Sequence, residues 1–284
     1  MSEAGFGSSH EDLKDWPTVF APGLFAGRTV VVTGAGGGLG LAIAALFARL
    51  GATLAINGRD PDKLEGAAGF LRSLGGRVLA RPMTIRDPDQ VDEFVAWVNA
   101  ETGGIDVLVN NAGGQFPQAA LDFSRKGWNA VIDTNLNGTW WMIQSVARAW
   151  VDARRPGSVV SIVADIWRGM PGIAHTCAAR AGVIYLSKTL AVEWAPHRIR
   201  VNCVAPGCCE STGFARYPAE GSATFAEANP MRRPGDEWDV AEAVAYLAAP
   251  SAKFITGEVL TVDGGQQLWG DPWPTGRPDH FRIG

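Results

Sequence analysis

Thr33-Gly34-Ala35-Gly36-Gly37-Gly38-Leu39-Gly40 directly follows the β-branched run 29–32 and opens an apolar stretch at 39–50 with helical character. Glycines at these places let the chain turn tightly and let the backbone approach a pyrophosphate, whose charge then rests on the helix N-terminus. A glycine motif alone is weak evidence, since a loop can be merely flexible. With a strand before it and a helix after it, the stretch reads as a dinucleotide-binding loop.

The same alternation continues on both sides. Strand candidates lie at 29–32, 53–57, 77–81, 107–110, 158–163, 200–204 and 258–262, and helical patterns at 39–50, 62–74, 88–100, 124–152, 174–194 and 239–248. The first, fourth and fifth strand runs are nearly all apolar, as parallel strands buried on both faces require. Strands alternating with such helices predict βαβ crossovers and a single α/β domain, a doubly wound parallel seven-stranded sheet of the Rossmann type. Residues 1–26 read as an extended N-terminal arm, 27–268 as the domain, and 269–284 as a tail. The long irregular stretch 207–237 has the character of a substrate-covering loop.

Composition removes several function classes. The 284 residues carry 25 Lys and Arg against 29 Asp and Glu, a net charge of −4, so no basic face for nucleic acid or an anionic membrane is expected. No apolar run reaches the ~18 residues of a membrane span, and the polar start does not read as a signal peptide. Cys177, Cys203, Cys208 and Cys209 have neither disulfide-framework nor metal-ligand spacing, so no metal and a cytoplasmic location are expected.

The end of the second strand selects the cofactor, because an acidic residue there binds a ribose 2′-hydroxyl and an arginine accommodates a 2′-phosphate. The chain has Asn57-Gly58-Arg59, with no carboxylate until Asp60. Arg59 as a bidentate phosphate clamp favours NADP(H), against the alternative of a solvated loop-tip arginine.

Thr33–Gly40 together with Asn110-Asn111-Ala112-Gly113, Asn135-Leu136-Asn137-Gly138-Thr139, Pro206-Gly207 and Val262-Asp263-Gly264-Gly265 resembles the short-chain dehydrogenase/reductase family over about residues 24–268. The resemblance implies that Gly34, Gly36, Gly37, Gly38, Leu39 and Gly40 hold the cofactor with Arg59, Thr84, Ile85, Asn111, Ala112, Gly113, Pro206 and Gly207. It also implies that Asn135 holds a proton-relay water at a helix kink, and that the chain forms a homo-oligomer, a tetramer or a dimer.

The catalytic pattern of that family is altered. Its Tyr position falls on Thr176, its Lys position four residues later on Arg180, and its Ser position on Ala164 beside Asp165. Tyr185 lies nine residues past Thr176, about half a turn around the helix, and faces away from the cofactor side as core or subunit interface. Tyr246 reads as core, and Tyr217 in the long loop could reach the site. Trp140, Trp141 and Trp150 read as packing residues, Trp167 as a lining of the substrate pocket, and Trp269 and Trp273 as covers for a neighbouring subunit or the site.

The segments Ala21-Pro22-Gly23-Leu24, Gly114-Gln115-Phe116, Lys126-Gly127-Trp128, His175–Val183, Phe254-Ile255-Thr256-Gly257 and Arg277-Pro278-Asp279-His280 are similar to the branch of trans-2-enoyl-CoA and 2,4-dienoyl-CoA reductases, which also lack the Tyr-x-x-x-Lys pair. Reducing a double bond conjugated to a thioester requires donors for the developing thioester oxyanion and a proton for the α-carbon. Arg180 is expected to bind the cofactor ribose and bias charge, with Thr176 the nearest donor and Gln115 an added amide. His175, Asp165 or a water on Asn135 is the candidate proton source. His175 could equally be a cap or loop residue, and Asp165 an N-cap or turn residue. The expected substrate is a small molecule, with an acyl thioester as the candidate. Three other readings stay open: an ordinary carbonyl reductase with another proton donor, a non-redox lyase, cyclase or isomerase, and a non-catalytic family member.

Overall fold

A computed structural model describes residues 7–212 and 224–268. Seven strands, β1 (Thr29–Thr33), β2 (Thr53–Gly58), β3 (Val78–Pro82), β4 (Val107–Asn110), β5 (Gly157–Ile162), β6 (Ile199–Pro206) and β7 (Val259–Val262), form one sheet in the order β3-β2-β1-β4-β5-β6-β7. Every neighbouring pair is parallel. This is the doubly wound sheet that the alternation predicts.

The apolar runs explain the two layers, because successive strand residues point to opposite faces. Val30 and Val32 of β1 pack in the hydrophobic cluster beneath α2 (Gly38–Arg49) and α3 (Pro61–Ser73), whereas Val31 joins the cluster beneath α4 (Pro88–Thr102). The other helices are α1 (His10–Asp15), α5 (Arg125–Ile132), α6 (Gly138–Asp152), α7 (Ala174–Glu193) and α8 (Glu237–Ala248). Aspartates start two crossover helices: Asp60 accepts the Lys63 N–H, and Asp87 accepts those of Asp89 and Gln90. The chain reverses direction across the sheet between β1 and β4, so the crevice outside their carboxyl ends is the expected ligand position.

Three expectations change. Residues 124–152 do not form one helix: a π-turn, Asp133–Asn137, separates α5 from α6, and the apolar periodicity continues across it. The arm is not extended throughout. Ser9 caps the six-residue α1, whose Leu13 enters the core, and Phe25 packs edge-on against Phe47. Tyr246 is 40% exposed rather than core, because α8 buries Val240, Ala241, Val244 and Ala245 and turns Tyr246 outward.

Tyr185 is 71% exposed, with Lys188 over its ring, so it is not core in this chain. Trp150 is fully buried, donates to the Ile105 carbonyl at 2.7 Å, and lies where a side chain at Gly157 would collide with its ring. Trp140 and Trp141 are half-buried against the same core. Among the described residues no helix is long and apolar enough to cross a membrane.

Candidate active site

The glycine loop is locked in shape by its neighbours. Gly34 and Gly38 take φ of +68° and +54°, where a side chain would be strained. A Cβ at Gly34 would come 2.8 Å from the Ala112 Cα, and one at Gly40 would meet the Asn111 amide and the Gly34 carbonyl. Asn111 Nδ2 donates to the carbonyls of Thr33 at 3.0 Å and Gly34 at 3.2 Å, while Thr33 Oγ1 accepts from the N–H groups of Asn111 and Ala112. The loop is thus fastened to the end of β4, and its backbone curves into the N-terminus of α2, where partial positive charge favours an anion.

The other cofactor candidates gather around this loop. Arg59 is exposed just past β2 and makes no ion pair among the described residues, so its guanidinium can take a phosphate. Asn57 Oδ1 accepts from Gly34 N, which leaves the strand end occupied by an amide instead of a carboxylate. Lys63, which sequence reasoning missed, stands beside Gly36. Thr84 Oγ1 accepts from Arg86 N, and Ile85 packs where a side chain at Gly138 would fall. Gly207 N donates to the Val262 carbonyl, and the Pro206 carbonyl accepts from Asp165 N, so strands β5, β6 and β7 end together.

The catalytic candidates come from α7, the π-turn and the end of β5. Arg180 is 8% exposed and makes no hydrogen bond or ion pair among the described residues. Burial brings its guanidinium down to about 10. Its Nη2 lies against Gly113, where a side chain would collide with it. A buried cation without a partner is costly, and this one faces the cofactor loop, so it is poised for ligand oxygens.

Thr176, one turn earlier, is 1% exposed, and its hydroxyl lies 3.3 Å from His175 Nδ1. That nitrogen already accepts the Thr176 N–H at 2.7 Å, so the hydroxyl proton remains available for a substrate oxygen. His175 is fully buried between Phe116 and Phe123, with ring centroids at 4.6 Å and 4.4 Å, and its Nε2 has no partner. Burial lowers its pKa and holds it neutral. It therefore makes a cap-like bond at the helix start and still offers a free ring nitrogen. Phe123 and Ala174 continue into a cavity of about 410 Å³ lined also by Ala120, Arg125, Trp128 and Asn129. The sequence gives no signal that these aromatic walls meet.

Asn135 sits in the π-turn, and its side chain is fully committed to Gly114, accepting its N–H and donating to its carbonyl. Its own carbonyl accepts from Thr139 Oγ1. Asp165 is 7% exposed, and burial followed by repulsion from Asp263 raises its pKa. Its carboxylate takes the Trp167 N–H, the bond expected of a turn residue, so its structural role is real beside any chemical one. Trp167 is 47% exposed on the loop after β5, and Gln115 is half-buried next to Gly114. Tyr217, Trp269, Trp273 and residues 277–280 lie outside the described residues. Among the described residues no group of His, Cys, Asp and Glu could hold a metal ion.

Residues 34–267 match the sequence profile of a family described as Enoyl-(Acyl carrier protein) reductase. A probable 2,4-dienoyl-CoA reductase of Bacillus subtilis (strain 168) is 34% identical over 252 residues, which cover 87% of this chain and 98% of that protein. The 3-oxoacyl-acyl-carrier-protein reductase FabG of Thermotoga maritima is 35% identical over 241 residues, covering 84% of this chain and 97% of its own. Among solved structures, the citronellol catabolism dehydrogenase AtuB of Pseudomonas aeruginosa PAO1 superposes with a TM-score of 0.80 at 39% identity, covering 89% of this chain and all of that one.

Proposed function

The chain belongs to the short-chain dehydrogenase/reductase family, as an oxidoreductase, and from that premise we propose that it is an NADP(H)-dependent reductase of a conjugated double bond in an acyl thioester such as a trans-2-enoyl thioester. The observation that carries this reading is the Thr176–Arg180 pair. A buried hydroxyl and a buried guanidinium with no hydrogen bond or ion pair among the described residues stand one helical turn apart where the family's usual chemistry has Tyr and Lys. Neither group is suited to trading a proton with a ketone oxygen at neutral pH. Both are suited to holding negative charge on an oxygen that is never fully protonated.

The residues present fit the cofactor: the glycine cradle leaves no room for side chains at Gly34 and Gly40 where a pyrophosphate would approach, and Arg59, exposed just past β2, would take a 2′-phosphate. Bound NADPH supplies the hydride that the β-carbon accepts. Arg180, whose N–H groups have no partner among the described residues, would hold the nicotinamide ribose and adds positive charge to the site. Thr176 donates its hydroxyl to the thioester oxygen as charge gathers there, and Gln115 adds an amide donor. Asp165, whose pKa is raised by burial and by repulsion from Asp263, delivers the proton that the α-carbon needs. Phe116 and Phe123 keep water from the reacting carbons. The likeness to dienoyl-CoA reductase supports the thioester, and the cavity beside Phe123 offers room for an acyl chain.

A second reading, reduction of a 3-oxoacyl thioester, rests on the likeness to FabG. NADPH oxidation followed with a crotonyl-type enoyl thioester, a dienoyl thioester and an acetoacetyl-type ketone distinguishes the two. Turnover of the enoyl or dienoyl thioester alone supports the proposal, and turnover of the ketone alone rejects it. We place the working enzyme in the cytoplasm as a homo-oligomer, a tetramer or a dimer, which gel filtration with light scattering checks.

A further inference from the structure

The first described residues of the N-terminal arm, Gly7 and Ser8, lie beside the glycine loop. Ser8 N donates to Glu237 Oε2 at 2.8 Å, although 229 residues separate the two. A Cβ on Gly7 would come within 3.0 Å of Thr212 N and 3.2 Å of Glu237 Oε1. On the other side of the same carboxylate, a Cβ on Gly38 would lie 3.5 Å from Thr212 Oγ1 and 3.8 Å from Glu237 Oε1. The arm, the first residue of α2, the first residue of α8 and the segment after Gly207 therefore meet at one point. That point is the lip of the loop that receives the pyrophosphate.

The rest of the arm is fixed by contacts that do not involve Glu237. His10 stacks on Phe70 with centroids 4.0 Å apart, and Arg49 donates to the Leu13 carbonyl at 3.2 Å. Trp238 Nε1 donates to the Pro17 carbonyl at 2.9 Å and its ring meets Trp16 edge-on. The arm is anchored across α2, α3 and α8, and among its described residues Ser8 alone donates to the Glu237 carboxylate. Glu237 itself is 2% exposed, and burying an acid at a helix start is costly unless its hydrogen bonds are made.

We propose that Glu237 is a positioning residue that clasps the leading end of the arm, through the Ser8 N–H, across the pyrophosphate end of the cofactor cleft. The clasp lengthens the residence of a bound nicotinamide dinucleotide and takes no part in the chemistry. The inference rests on the dinucleotide reading of the glycine loop, and it is independent of which substrate is reduced.

The test measures NADPH dissociation by stopped-flow fluorescence, with displacement by excess NADP+, in the full chain, in a deletion of residues 2–8, in Glu237→Ala and in Glu237→Gln. The deletion leaves the Ser9 cap of α1 in place, and the glutamine keeps an oxygen that accepts the Ser8 N–H. The deletion and the alanine variant are expected to release NADPH about tenfold faster, the loss typical of one hydrogen bond to a carboxylate, with the glutamine variant within about twofold of the full chain. Dissociation from the deletion variant at the full-chain rate, or equal acceleration in Glu237→Gln and Glu237→Ala, overturns the clasp. A full chain that binds neither NADPH nor NADH rejects the cofactor reading instead. The clasp is then judged by amide exchange at Ser8 in the free protein: protection in the full chain and in Glu237→Gln but not in Glu237→Ala supports it, and equal exchange in all three overturns it.

Discussion

Asn135 and Gly114 pair on both edges: the side-chain Oδ1 accepts the Gly114 N–H at 2.9 Å, and Nδ2 donates to the Gly114 carbonyl at 3.0 Å. One amide side chain thus imitates a strand neighbour and holds the chain just before Gln115. The π-turn makes this possible, because its wider coil turns Asn135 toward β4. Asn135→Ala should cost about 1–3 kcal/mol by leaving both Gly114 groups unpaired, measured by urea unfolding, and should weaken substrate binding more than NADPH binding. Equal loss of both would contradict the placement.

Arg180 poses stability against function. Its guanidinium is buried with no partner among the described residues, so Arg180→Met should unfold at a higher temperature than the parent while losing most NADPH oxidation. Arg180→Lys keeps the charge but loses the planar fork, and about tenfold weaker NADPH binding is expected by fluorescence titration. A lower melting temperature for the methionine variant would mean that the guanidinium has a structural partner.

Gly113→Ala probes the same group from the other side. The new methyl collides with Arg180 Nη2, the far end of a flexible side chain, so the guanidinium moves and the fold gives way little. Turnover should fall at least tenfold while stability changes by no more than about 1 kcal/mol, as circular dichroism and steady-state kinetics can determine together.

His175 makes stability depend on pH. Burial lowers its pKa below the ordinary 6.5, so the unfolded chain binds a proton that the folded chain resists. Its contribution is complete above pH 6.5 and is lost as pH falls from there toward the depressed folded value. The denaturant midpoint should therefore drop between about pH 7 and 5, and His175→Phe, which keeps a ring between Phe116 and Phe123, should flatten that drop. Asp12 and Asp239 have lowered pKa values and act in a separate, more acidic window.

Asp165 should act in the opposite sense. With a raised pKa its favourable protonated state is lost as pH rises, so Asp165→Asn should be more stable than the parent at pH 7. If Asp165 delivers the α-carbon proton, the parent's turnover declines on the alkaline side and the asparagine variant loses turnover at every pH. Unchanged turnover in that variant would transfer the role to His175.

Much of this was legible in the residues. The glycine run between a β-branched strand and an apolar helix predicts the loop, and the alternation of strands and helices predicts the doubly wound parallel sheet, because each demand is local. Thr176 and Arg180 were legible through the resemblance to the short-chain dehydrogenase/reductase family, whose Tyr and Lys positions they occupy on one helix face. What escaped reading depends on distant partners or weak periods. Helix α1 has six residues and one apolar anchor, Leu13, too short for a helical period to emerge. The π-turn inserts its extra residue without interrupting the apolar pattern of 124–152. Glu237 falls at the end of the irregular stretch 207–237 in the sequence and carries no signal there, because its partner Ser8 lies far away in the chain.

The contacts of the arm with Glu237 and Trp238 join the two ends of the described chain, and they impose an order on biosynthesis. The arm leaves the ribosome first, yet its seat on α8 is made some 220 residues later. At typical elongation rates of about 5–20 residues per second, the arm spends roughly 10–45 s without its docking site. Strands β1 to β6 can assemble in that interval, with the cleft still uncovered. A nascent chain could therefore take up its dinucleotide before the arm arrives, and the last event of maturation would be the sealing of an already loaded cleft.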